Sequence, residues 1–283
     1  MEKALKKYGV IFALPTFAAF AIGFIWPFVQ GLYLSFCQFT TVNNVNFVGI
    51  QNYLEVFKDE SFLQSFGFTV SFAVVSVCSI NILAFGLALL LTRNLKGTNL
   101  FRTVFFMPNL IGGIVLGYIW QILINCVLTI VGEPLLKLNT PAGYWGLIIL
   151  MCWQQIGYMM IIYIAGIQNI PEEIVEAARV DGATAWQTLI KVKLPMVMSS
   201  ITVCVFLTLT NSFKLFDQNL ALTGGEPYDS TEMLALNIYE TFYGRSGAQW
   251  KGIGQAKAVV FCILVVTISL MQLNATRKKE VQS

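Results

Sequence analysis

Six long stretches without a charged side chain decide what this chain can become. They cover residues 8–54, 61–92, 103–132, 138–171, 194–213 and 258–276. Each holds a helix of about 20 residues, enough to cross a hydrocarbon core. Backbone polar groups inside a bilayer must pair within their own segment, which makes helix the natural form. The first run is too long for one span and must also contain a loop. The reading is an all-α integral membrane protein with six transmembrane helices, at about 8–36, 62–91, 103–123, 144–167, 196–215 and 256–275. Composition agrees, since only 12% of residues are charged, against about 25% in ordinary soluble domains.

The charges between the runs orient the chain. Segments on one side carry Lys3, Lys6, Lys7, Arg93, Lys96, Arg102, Arg179, Lys191, Lys193, Arg277, Lys278 and Lys279, twelve cations, whereas the other side carries Lys58, Lys137, Arg245 and Lys251, four. Lys and Arg accumulate in cytoplasmic loops, so both termini face the cytoplasm. Lys3, Lys6 and Lys7 before an apolar stretch resemble a secretory leader. The stretch is too long for one, however, and shows no small-x-small cleavage site, so it reads as an uncleaved span. We divide the chain into residues 1–61 (first span and outer loop), 62–275 (transmembrane core) and 276–283 (basic cytoplasmic tail).

Several chemistries have no residues to perform them. There is no His, the commonest metal ligand and general base. The six Cys are scattered without C-x-x-C spacing, and Cys78, Cys152, Cys204 and Cys262 lie inside apolar runs as packing residues. No G-x-S-x-G nucleophile motif occurs, and no metal or cofactor is expected. There is also no Walker A pattern, so ATP would be bound by another subunit.

The densest polar stretch between two apolar runs extends from Asn169 to Pro195. Asn169 is a candidate helix cap, Pro171 suits a first turn, and Glu172 and Glu173 favour the positive helix end. The helix should stop near Asp181-Gly182. Thr184 and Gln187 form a T-x-x-Q capping box that starts a second short helix, which Leu194-Pro195 should end. The expected product is a helix–glycine–helix elbow on the cytoplasmic side.

Glu176-Ala177-Ala178, three residues, Gly182, nine residues, then Val192-x-Leu194-Pro195 resembles the EAA loop of the membrane subunits of binding-protein-dependent ABC importers. The one departure is Val192 where Ile is usual. The resemblance implies the type I ABC importer transmembrane fold. It also implies a cytoplasmic coupling helix that docks in a groove of the ATP-hydrolysing subunit, with ATPase-coupling residues Glu176, Ala177, Ala178, Asp181, Gly182, Leu194 and Pro195. Thr223-Gly224-Gly225-Glu226-Pro227, Trp153 with Gly157-Tyr158-Met159-Met160, and Asp181-Gly182-Ala183 are similar to the carbohydrate-uptake branch, closest to the larger membrane subunit of maltose-type importers.

That branch implies a sugar near mid-membrane, in contact with Asn109, Gly113, Met151, Gln154, Gln155, Thr208, Asn211, Ser212 and Leu215. Positions 208, 211, 212 and 215 share one helical face, and uncharged amides and hydroxyls supply donors and acceptors for a neutral sugar. Thr208 and Ser212 equally suit interhelical hydrogen bonds, and Gly113 with Gly117 suits close helix packing. Lys214, Asp217 and Lys257 form a candidate outer gate, with Asp217 paired to one of the two lysines.

The expected function is a permease subunit in the bacterial plasma (inner) membrane, passing a mono-, di- or oligosaccharide inwards. Implied partners are ATP-binding subunits (two copies or a pair) using ATP and Mg, a second and different permease chain, an extracytoplasmic solute-binding protein, the sugar and membrane lipid. Nucleic acid is not a partner. The alternative is an ion-coupled secondary transporter, which should carry ionisable groups near mid-membrane or an inverted repeat.

Overall fold

A computed structural model describes residues 13–93 and 96–277. Lys3, Lys6, Lys7, Lys278, Lys279 and most of the basic tail lie outside the described residues. The chain forms two compact units, Met1–Glu60 with Ile238–Cys262, and Ser61–Asn237 with Ile263–Ser283.

The first unit opens with α1 (Ala13–Leu34), which runs as one span. A π turn at Ala21–Ile25 precedes Pro27, an irregularity that accommodates a missing N–H inside a helix. A hairpin follows, β1 (Cys37–Thr41) against β2 (Asn44–Phe47), antiparallel with Cys37 opposite Phe47 and Phe39 opposite Val45. Only a polar loop was expected there. Tertiary anchors hold it: Asn52 in α2 (Gln51–Lys58) donates to the carbonyls of Ser35 and Cys37, both at 2.9 Å. The chain ends this unit with the outer part of α12 (Ala248–Arg277), where Gly252 lies so close to the Cys37 carbonyl that a Cβ would collide with it.

The second unit begins with α3 (Glu60–Leu91). A short α4 (Thr98–Phe106) and a 3₁₀ turn (Met107–Leu110) lead into α5 (Gly113–Val131). Next come α6 (Thr140–Gln168), α7 (Glu172–Val180), α8 (Ala185–Met196), α9 (Met198–Phe213), α10 (Asp217–Leu222) and α11 (Leu234–Tyr239). The hub is α6, 61% buried over its most apolar window against 11% for α5. Leu147, Leu150, Met151, Met159, Met160 and Tyr163 of α6 join Phe72 and Ile80 of α3 and Cys204 of α9 in one core. Asn139 caps α6 by accepting from the Ala142 N–H at 3.1 Å. By contrast, Ile122, Val127 and Ile130 of α5 stand exposed. On a membrane-spanning helix, such side chains face lipid or another apolar helix.

Three span boundaries differ from the sequence reading. The third span starts at Gly113, because Pro108 and the Gly112-Gly113 pair break the helix near residue 110. The sixth starts at Ala248. The fifth is broken, since α8 and α9 meet at 71° about Val197; among the described residues five helices are long and apolar enough to cross a membrane, and six if this bent pair counts as one span. Leu194-Pro195 therefore does not end the elbow's second helix. The π turn at Leu189–Lys193 accommodates the proline, and the break falls after Met196. Leu215 lies beyond the end of α9, outside the helical face predicted to carry it.

Candidate functional sites

The elbow folds from local signals. Glu172 and Glu173 occupy the first turn of α7, preceded by Pro171 as its N-cap. Asn169 instead ends α6, its N–H donating to the Ala165 carbonyl at 3.2 Å. Gly182 adopts φ +79°, the left-handed conformation that glycine enters without steric cost. Its N–H reaches the Arg179 carbonyl at 3.0 Å, and that of Ala183 reaches Ala178 at 2.9 Å. This is the Schellman pattern, which satisfies the last carbonyls of a helix. The Thr184–Gln187 capping box then starts α8: Gln187 N–H to Thr184 Oγ1 is 3.3 Å, and Thr184 N–H to Gln187 Oε1 is 2.8 Å.

The elbow presents large apolar side chains among its charged ones. Val180 is 87% exposed and Trp186 68%, with Ile174 and Ile190 also exposed. Glu176, Ala177, Asp181 and Gly182 are exposed, whereas Ala178, Leu194 and Pro195 are half-buried. Large apolar side chains gathered on a polar loop mark a protein contact surface.

The polar groups of the spans are joined in three layers. At one level Tyr163 donates to Asn81 Oδ1 at 2.6 Å, and Asn81 donates to Thr208 Oγ1 at 2.9 Å. This ties α3, α6 and α9 together. Thr208 and Ser212 are fully buried and donate to the Cys204 and Thr208 carbonyls, both at 2.7 Å. Met151 is fully buried as well, 3.8 Å from Ser212 Oγ, and Leu215 is buried. At the next level Asn211 donates to Gln155 Oε1 at 3.4 Å, and both are half-buried. Above them Gln218 donates to Gln154 Oε1 at 2.7 Å, while Gln154 donates to the Ile111 carbonyl at 3.3 Å. Asn109 is half-buried in the 3₁₀ turn.

Gly113 and Gly117 are packing positions. A Cβ on Gly113 would meet Asp217 Cβ at 2.7 Å, and one on Gly117 would meet Ala221 Cβ at 2.5 Å, so α10 seats directly on α5. Asn81, Tyr163, Gln121 and Gln218 escaped the sequence reading. Asn81 carried a signal, a carboxamide deep in a charge-free run, costly unless partnered. The proposed pairing of Asp217 with a lysine is corrected. The carboxylate 2.7 Å from Lys257 Nζ is Asp59, and Thr241 adds a hydrogen bond at 2.8 Å. Lys214 and Asp217 are exposed and, among the described residues, make no ion pair with each other. Lys257 is fully buried, and a buried ammonium takes the nearest fixed carboxylate, here on the segment before α3.

Residues 80–279 match the family described as binding-protein-dependent transport system inner membrane component. A "probable starch degradation products transport system permease protein" of Thermoanaerobacterium thermosulfurigenes is 42% identical, over 96% of this chain and 94% of that protein. A "multiple sugar-binding transport system permease protein" of Streptococcus mutans is 33% identical over 99% of both. A solved bacterial ABC transporter "involved in the import of the acidic polysaccharide alginate" has a chain that superposes with a TM-score of 0.82 at 22% identity, covering 98% of each chain. The fold is that of an ABC importer transmembrane subunit, and none of these findings supports the ion-coupled alternative. With a match over residues 80–279 and such relatives along nearly its whole length, the chain belongs to the binding-protein-dependent transport system inner membrane components.

Proposed function

We propose that this chain is one permease subunit of an ATP-driven importer of neutral sugars, with malto-oligosaccharides as the leading class. The relatives support the class, being named for starch degradation products, multiple sugars, and trehalose/maltose. The observation that carries the reading is the set of large apolar side chains on the elbow, with Val180 and Trp186 projecting from a capped helix–glycine–helix bend. It suits a groove on a separate subunit that binds ATP and Mg, and through it hydrolysis would bias the spans between two states. A solute-binding protein would deliver the sugar from outside, and a second, different permease chain would complete the path.

Within the spans, sugar contact falls to Asn109, Gln155 and Asn211, which are half-buried, with Gln154 beside them. Thr208, Ser212, Met151 and Leu215 support them from the core, and Gly113 supports them by letting α10 approach. The test is uptake of radiolabelled maltotriose by the complete complex in proteoliposomes. Uptake should vanish when the catalytic carboxylate of the ATPase partner is removed. Uptake that persists with that partner inactive, driven by a proton or sodium gradient, would overturn the reading. Replacing Trp186 with Ala should weaken ATPase docking by about tenfold or more, as loss of a buried aromatic anchor does.

A further inference from the structure

The short helix α10 is held at both ends by carboxamides from other spans. At its start, Gln218 donates to Gln154 Oε1 at 2.7 Å. At its end, Gln121 of α5 donates to the Leu222 carbonyl at 2.9 Å. Between these ties its body rests on Gly113 and Gly117, where any side chain would push it away. Next in the chain Asn219 bonds to the Thr231 carbonyl at 2.8 Å and accepts from the Met233 N–H at 3.0 Å, so the following loop is fastened to the same helix. The charge count places this end of α9 outside the cytoplasm.

The two glutamines of α6 have divided tasks. Gln154, 6% exposed, spends its oxygen on Gln218 and its amide N–H on the Ile111 carbonyl at the break before α5. Gln155, the next residue, faces Asn211 of α9. A rotation of α6 that re-aims Gln155 must therefore move Gln154, and moving Gln154 withdraws the acceptor that holds α10.

We infer that α10 is the outer latch of the translocation path and that Gln218 is the positioning residue linking its release, through the buried Gln154, to its sugar-facing neighbour Gln155. The link to sugar rests on the reading of Gln155 and Asn211 given above. The latch itself rests only on the contacts of α10. In the resting complex it holds the outer mouth shut, and its loosening shifts the population towards the ATP-bound, outward-open state.

The experiment uses the complete complex in nanodiscs. In Gln218→Leu the buried Gln154 oxygen loses its donor. Hydrolysis of ATP without any binding protein should rise about tenfold, the factor a lost hydrogen bond of ordinary strength allows. Hydrogen exchange at residues 217–222 should quicken by about the same factor. The double variant Gln154→Leu/Gln218→Leu removes the orphan acceptor, though also the donor to the Ile111 carbonyl, and should recover part of the thermal stability while remaining uncoupled. Basal hydrolysis and exchange equal to the unsubstituted complex in Gln218→Leu would overturn the latch, as would a double variant that regains the resting rate. Should Gln218→Leu fail to assemble, exchange in the unsubstituted complex decides. Protection of residues 217–222 should fall on adding ATP with maltotriose-loaded binding protein, and unchanged protection overturns the proposal. A complex that takes up no maltotriose yet is uncoupled by Gln218→Leu would sink the sugar reading and leave the latch standing.

Discussion

At the scale of single residues, glycines separate three different physical demands. At Gly182 no atom lies within 4 Å of an added Cβ, so the constraint is the backbone, at φ +79°. Any L-residue there costs roughly 1–2 kcal/mol, and Gly182→Trp adds bulk to the exposed coupling surface. It should abolish maltotriose uptake while the binding-protein interaction and the folded yield stay near normal. Normal uptake by Gly182→Trp would mean the bend transmits nothing. At Gly157 the obstacle is the Phe105 carbonyl, a backbone atom that cannot rotate away. Gly157→Ala should therefore separate α4 from α6 and cost several kcal/mol, on the order of an overpacked core or more. Gly86 is the control: it is exposed in mid-helix with nothing within 4 Å. Gly86→Ala should be neutral or stabilising by about 0.5–1 kcal/mol. Thermal unfolding of the three variants in one detergent should place Gly86→Ala highest, Gly182→Trp next and Gly157→Ala lowest.

At the scale of elements, the sequence was readable wherever the signal is local. The capping box of Thr184 and Gln187 and the glycine stop of α7 depend on residues within one turn, and they formed as their spacing predicts. Thr184→Ala should fray the start of α8 by about 1 kcal/mol, seen as faster amide exchange at residues 185–188 with the core unchanged. The breaks at Met107–Leu110 and Val197 and the hairpin at Cys37–Phe47 were less legible. A proline inside an apolar run announces a break but not which side the membrane span takes, and Pro195 stayed within its helix. The hairpin is fixed by Asn52, whose two backbone acceptors no pattern in residues 37–47 reveals. The polar layer behaved likewise. Thr208 and Ser212 are packed in the core, whereas Asn211, read on the same face, is half-buried. Which face of an apolar helix is inward is set by neighbouring spans, and hydropathy alone does not distinguish it.

At the scale of the whole molecule, the first unit is assembled from two segments far apart in the chain. Its described residues before position 61 group with Ile238–Cys262 in one compact unit. Lys257 shows why. Its ammonium is fully buried, and Asp59, 18% exposed, is its carboxylate at 2.7 Å, with Arg245 at 4.0 Å from the same group. Removing the acid takes this carboxylate from a buried cation that keeps its hydrogen bond to Thr241, and from a second, partly exposed cation. Breaking a buried pair on one side costs about 3–5 kcal/mol, whereas replacing both members by apolar groups is often neutral. Asp59→Ala alone should thus lower the folded yield and the melting temperature sharply, and Asp59→Ala combined with Lys257→Met should recover most of the loss. Size-exclusion profiles and melting curves of the purified complex read both effects. A double variant no better than Asp59→Ala would mean that the ion pair is not what binds the two segments into one unit.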